Sequence, residues 1–124
     1  KVLYTNTAKL MSHLKMAKAD GAHLKELSKI EQQDALILDD FGVQPFDAQS
    51  RALLLDIIED RHGKRSTIIT AQVPVKKWHE LIGEKTLADA ILDRIVHQSI
   101  RIELYGESLR KKQKANAETT ESFL

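Results

Sequence analysis

Ala35-Leu36-Ile37-Leu38-Asp39-Asp40 decides the fold of this chain. Four apolar residues without alternation read as a short strand buried on both faces, and two acids close its carboxyl end. Downstream, Ser66-Thr67-Ile68-Ile69-Thr70-Ala71 reads as another buried strand, rich in β-branched residues. Upstream, Val2-Leu3-Tyr4 is a third short apolar run. Between these runs the apolar spacing changes to that of helices. Leu10, Met11, Leu14 and Ala17 form a stripe after a Thr5-Asn6-Thr7 start, and Leu24, Leu27 and Ile30 follow the break at Gly21. Asp47 can cap a helix bearing Leu53, Leu54, Ile57 and Ile58, which Gly63 ends. Pro74 opens a short helix with Trp78, expected to pack on the core, and Leu81; Gly83 stops it. Thr86, with Asp89 three residues on, is expected to cap a longer helix whose inner face is Leu87, Ala90, Ile91 and Ile95. Ser99 to Leu104 alternates as a last strand. Strands alternating with helices predict an α/β fold with a mostly parallel sheet.

Composition narrows the function. The 124 residues suit about one domain, and 42% of them are hydrophobic, enough for a core. Nineteen basic residues against eighteen acidic ones leave a net charge of +1, so contact with nucleic acid must come from local patches. Without cysteine there is no disulfide scaffold, thiolate metal site or cysteine nucleophile. No apolar run approaches a membrane span. A cytoplasmic protein is expected, organised as one domain over residues 1–110 with a mobile polar tail over 111–124.

In an open parallel sheet the ligand crevice lies beyond the carboxyl ends of the strands. Asp39 and Asp40 stand there, as do Thr70 and Gln72. Four apolar residues and two acids form the Walker B pattern, in which the first acid carries Mg²⁺, usually through water, and the second orients or deprotonates an attacking water. Two acids at a strand end are also an ordinary turn and capping device. Thr70 and Gln72 suit a polar sensor of phosphate or water, or simply a turn before Pro74. Arg94 suits an arginine finger offered to a neighbouring subunit, or a surface pair with Asp93 or Asp89. His13, His23, His62, His79 and His97 show no metal spacing.

Ala35–Gly42, Arg65–Pro74, Lys77-Trp78-His79-Glu80, Ala88–His97 and Arg101–Arg110, taken in order, closely resemble the IstB family of insertion-sequence transposition helper ATPases. These are AAA+ (P-loop NTPase-like) proteins allied to the DnaC helicase loaders. The resemblance covers roughly residues 1 to 112, and Trp78-His79-Glu80 and Leu92-Asp93-Arg94 are its most specific parts. It implies ATP and Mg²⁺ as cofactors. It gives Asp39 the metal, Asp40 the water, Thr70 and Gln72 the sensor segment, Arg94 an intersubunit role and Arg110 a second nucleotide-sensing role. Two departures stand out. Residue 71 is Ala where relatives often carry a small hydroxyl, and Asp40 replaces the glutamate common in other AAA+ enzymes. The phosphate-binding Gly-x-x-x-x-Gly-Lys-[Ser/Thr] motif does not occur in these residues.

The resemblance therefore implies an incomplete AAA+ sheet. Its first, central strand would precede this chain and lie between Ser66–Ala71 and Ser99–Leu104. The expected role is the C-terminal part of an ATPase that assists a transposase, working with DNA as a homo-oligomer. Alternatives are a DnaC-like loader of a replicative helicase, and a non-catalytic adaptor that kept the fold. Lys9, Lys15 and Lys18 on the first helix, with Lys25 and Lys29 on the next, are either a solvated basic face or a DNA contact. In related loaders the region lines a nucleic-acid path.

Overall fold

A computed structural model describes residues 1–97 and 99–102. The chain runs β1 (Val2–Asn6), α1 (Thr7–Ala19), α2 (His23–Glu31), β2 (Ala35–Asp39), α3 (Ala48–Arg61), β3 (Ser66–Ile69), a 3₁₀ turn (Val75–Lys77), α4 (Trp78–Ile82) and α5 (Lys85–Val96). The strands form a parallel sheet in the order β1-β2-β3. Tyr4 faces Ile37, which faces Ile68, so the three strands are in step. This is the α/β parallel sheet read from the sequence.

The helix stripes reach the core. Leu10, Met11, Leu14 and Ala17 of α1 are buried, as are Leu53, Leu54, Ile57 and Ile58 of α3. They meet Leu36 and Leu38 of β2, Ile82 of α4 and Ala88 and Ile91 of α5 in one cluster. Phe41 lies at its centre, with ring centroids 5.1 Å from Phe46 and 4.6 Å from Trp78. Trp78 Nε1 donates to Val73 O at 2.8 Å, so the indole is buried without an orphaned polar atom.

Four expectations need correction. Leu24 is exposed while Leu27 and Ile30 are buried. Six residues along a helix turn the side chain about 120° away from the starting direction, so Leu24 and Ile30 do not share a face. The cap of α5 is Glu84, whose carboxylate accepts the N–H groups of Thr86 at 3.0 Å and Leu87 at 2.9 Å. A longer side chain one residue before the helix reaches the amides assigned to Thr86.

The strands are buried on one face only. Leu36 and Leu38 are fully buried, but Val2, Tyr4 and Ile68 are 65%, 64% and 51% exposed on the other face. The helices α1 to α5 all contribute to the core on the first face, so an unbroken apolar run does not by itself report two covered faces. Last, residues 99–102 form no strand, and Ile100 and Ile102 are exposed. The described sheet consists of β1, β2 and β3 alone. Glu103, Leu104 and the expected tail over 111–124 lie outside the described residues.

Arg61 was not singled out by its sequence. It is 1% exposed at the end of α3. Its guanidinium donates to the carbonyls of Ile30 and Gln33, each at 2.8 Å, to that of Ser66, and to Thr67 Oγ1 at 3.0 Å. One side chain thus joins the end of α2, the approach to β2 and the start of β3.

Candidate functional site

The carboxyl ends of the three strands bring six polar residues together, the expected Asp39, Asp40 and Thr70 with Tyr4, Asn6 and Thr7. Asp39 is the last residue of β2, and its partner in register is Asn6 of β1. Thr70 follows β3 directly and continues its pairing, donating its N–H to Leu38 O at 3.0 Å. Its hydroxyl donates to Asp39 Oδ1 and accepts the N–H of Asp40 at 3.3 Å. The Thr70 carbonyl accepts the N–H of Phe41 at 2.9 Å, which turns the chain back toward the core.

β1 supplies the other half of the arrangement. The phenol of Tyr4 donates to Asp39 Oδ2. Thr7 Oγ1 donates to the carbonyl of Asp39 at 2.8 Å. The Asn6 amide does two things: its oxygen accepts Lys9 N at 3.1 Å and caps α1, and its nitrogen donates to Asp40 Oδ2 at 3.4 Å. Tyr4, Asn6 and Thr7 carry no motif. The signal available in the sequence was a parallel neighbour strand ending in polar residues opposite the two acids.

These contacts set the charge. The Thr70 hydroxyl, and after it the Tyr4 phenol, holds the Asp39 carboxyl below its ordinary value, so it is ionised near neutrality. The same bond to Asp39 pushes the Tyr4 phenol upward and keeps it a donor. Asp40 stands at φ +52° in the left-handed region, where Asp and Asn are tolerated better than most residues. Gly42 follows at φ +82°, and a Cβ there would sit 2.8 Å from Leu81 Cδ1.

The other expected site residues lie apart. Gln72 is exposed beyond β3. Arg94 of α5 pairs with Glu59 of α3 rather than with Asp93 or Asp89. Lys9 and Lys18 are exposed on α1, whereas Lys15 Nζ donates to Asp47 Oδ2 at 2.6 Å. Arg110 lies outside the described residues. Among the described residues no helix is long and apolar enough to cross a membrane.

The donor set fits Mg²⁺ in one way. Among the described residues no group of three or more His, Cys, Asp or Glu side chains could hold a metal. An ionised Asp39 beside Asp40 offers one or two hard oxygen ligands, which suits a cation that keeps most of its waters and takes its remaining ligands from phosphate. It does not suit a closed protein cage.

Comparison with known proteins gives the family. The family described as IstB-like ATP binding protein matches residues 1–117. An insertion sequence ATP-binding protein of Sinorhizobium fredii, y4pL, is 50% identical over 113 residues, covering 91% of this chain and 46% of that protein. The insertion sequence IS21 ATP-binding protein of Pseudomonas aeruginosa is 32% identical over 117 residues, covering 94% of this chain and 44% of its own length. The chain thus spans about half the length of these curated relatives. The crystal structure of the DnaC helicase loader superposes with a TM-score of 0.56 at 24% identity, covering 73% of this chain and 56% of that one, and shows a shared fold. The sheet with two acids at its central strand end, and the match along nearly the whole chain, make this protein a member of the IstB-like ATP-binding family.

Proposed function

We propose that this chain is the cation and sensor half of an ATPase that assists a transposase during DNA transposition. The observation that carries the reading is the Asp39 carboxylate, held at the end of β2 by the hydroxyl of Thr70 just after β3, with Asp40 beside it. Asp39 would hold Mg²⁺ through water. Asp40 would accept a proton from, or orient, the water that attacks the terminal phosphate. Thr70 links the two acids, so a phosphate drawing on its hydroxyl would be felt by both; Gln72 and Arg110 would complete the polar lining. The relatives named as insertion sequence ATP-binding proteins favour transposition over helicase loading.

DNA, a homo-oligomer and a cytoplasmic setting belong to the same proposal. Lys9 and Lys18 stand exposed on α1, and Lys15 would join them by leaving Asp47. Replacing all three by Gln in the complete protein should flatten the salt dependence of DNA binding, since each phosphate contact releases counterions. An unchanged slope would remove the DNA contact from the reading.

The central test is hydrolysis by the complete protein, phosphate loop included. Asp40→Asn should abolish ATP turnover while ATP still binds, and Asp39→Asn should weaken Mg²⁺-dependent binding. Full turnover in both variants would refute the assignment.

A further inference from the structure

The bare face of the sheet carries one polar group aimed at Asp39 that the proposed chemistry does not use. Tyr4 sits on β1 in a row with Ile37 and Ile68, and 64% of it is exposed. A tyrosine on an open strand face can give its hydroxyl to water. This one gives it to Asp39 Oδ2. The opposite oxygen, Oδ1, is taken by Thr70 from the other neighbouring strand. The carboxylate is therefore gripped from both sides, with one hydroxyl on each oxygen.

That grip has a chemical consequence. Each carboxylate oxygen offers about two acceptor sites, so the two hydroxyls leave acceptor capacity for other donors. With a single donor the carboxylate could swing about its side-chain bonds. With donors on both oxygens, its plane and its remaining acceptor directions are set. We propose that Tyr4 is a positioning residue for the cation-binding carboxylate, fixing Asp39 together with Thr70 so that it presents its remaining acceptor capacity to a hydrated divalent cation. The inference rests on Asp39 being that carboxylate. Partners that orient metal-binding groups typically change metal affinity by about 10–100-fold when removed.

The probe is Mn²⁺ in the millimolar range, added to the 124-residue chain and followed by paramagnetic broadening of the Thr70 and Phe41 amide resonances. Tyr4→Phe keeps the ring and loses the hydroxyl, and should raise the half-broadening concentration about tenfold. Tyr4→Leu should do the same, because the hydroxyl and not the ring is the cause. Asp39→Asn should abolish the localised broadening. If Tyr4→Phe binds like the wild type while Asp39→Asn abolishes binding, the role of Tyr4 is overturned and that of Asp39 stands. Loss in Tyr4→Leu alone marks ring packing and also overturns the proposal. Localised broadening that survives Asp39→Asn, or that is absent in the wild type, overturns the reading of Asp39 and the proposal with it.

Discussion

Arg94 reaches from α5 to α3: its Nη2 lies 3.1 Å from Glu59 Oε1, and its Nη1 donates to the carbonyl of Ala90 at 3.0 Å. The pair is partly exposed, and such pairs contribute only ~0–1 kcal/mol. Arg94→Ala should therefore leave the melting temperature nearly unchanged. In the assembled complete protein it should block hydrolysis. Mixing Arg94→Ala with Asp40→Asn subunits should restore part of the activity, because some interfaces then pair an intact arginine with an intact acid. Complete failure to complement would separate Arg94 from the subunit interface.

Arg61 should be among the least replaceable residues of the fold. Its guanidinium serves the carbonyls of Ile30, Gln33 and Ser66, and an orphaned buried acceptor costs ~1–3 kcal/mol. Arg61→Met should lower stability in urea by several kcal/mol. Arg61→Lys should rescue only part of it, because an ammonium lacks the planar fork of donors. A Met variant as stable as the wild type would contradict this account.

Asp47 supplies a pH test. The Lys15 ammonium, then the Ser50 amide at 2.8 Å, holds its carboxyl far below the ordinary value of 3.8. A group whose folded pKa is depressed contributes stability that is fully present above its unfolded pKa and is lost as pH falls toward the folded one. Melting temperature should drop on acidification below about pH 4. Asn caps a helix as well as Asp does, so Asp47→Asn should fold but show a shallower drop over that range. Parallel curves for the two proteins would exclude Asp47 as a contributor.

β3 leaves one edge without a described partner, beside the exposed Ile68. An open edge with an apolar neighbour is a template for strand addition. The 124-residue chain should self-associate in sedimentation velocity as concentration rises. Ile68→Lys should reduce that association, since charge on an edge strand discourages pairing. A concentration-independent monomer would rule it out.

Much of this was legible in the residues. The strand ending in Asp39-Asp40 and the stripes of α1 and α3 follow from spacing alone, and Asp47 caps its helix as its position suggested. What escaped was set by tertiary geometry. Arg61 looks like a solvated residue at a helix end until α2 and β3 bring their carbonyls to it. The contacts of Tyr4 with Asp39 and of Asn6 with Asp40 come only from the register of β1 on β2. The exposure of Val2 and Ile68 could not be read from runs that look fully buried, because local sequence does not report what covers a face.

The left-handed backbone at Asp40 bears on which acid can stand there. Short polar side chains can bond back to the neighbouring backbone and offset the steric penalty of that conformation, whereas a longer side chain meets it at ~1–2 kcal/mol. Glutamate at position 40 would have to bear that penalty or flip the peptide and lose the bond from Asp40 N to Thr70. The choice of aspartate over its homologue is then a property of the main chain. It need not reflect any change in the chemistry, and asparagine is the substitution that removes the charge while leaving the turn intact.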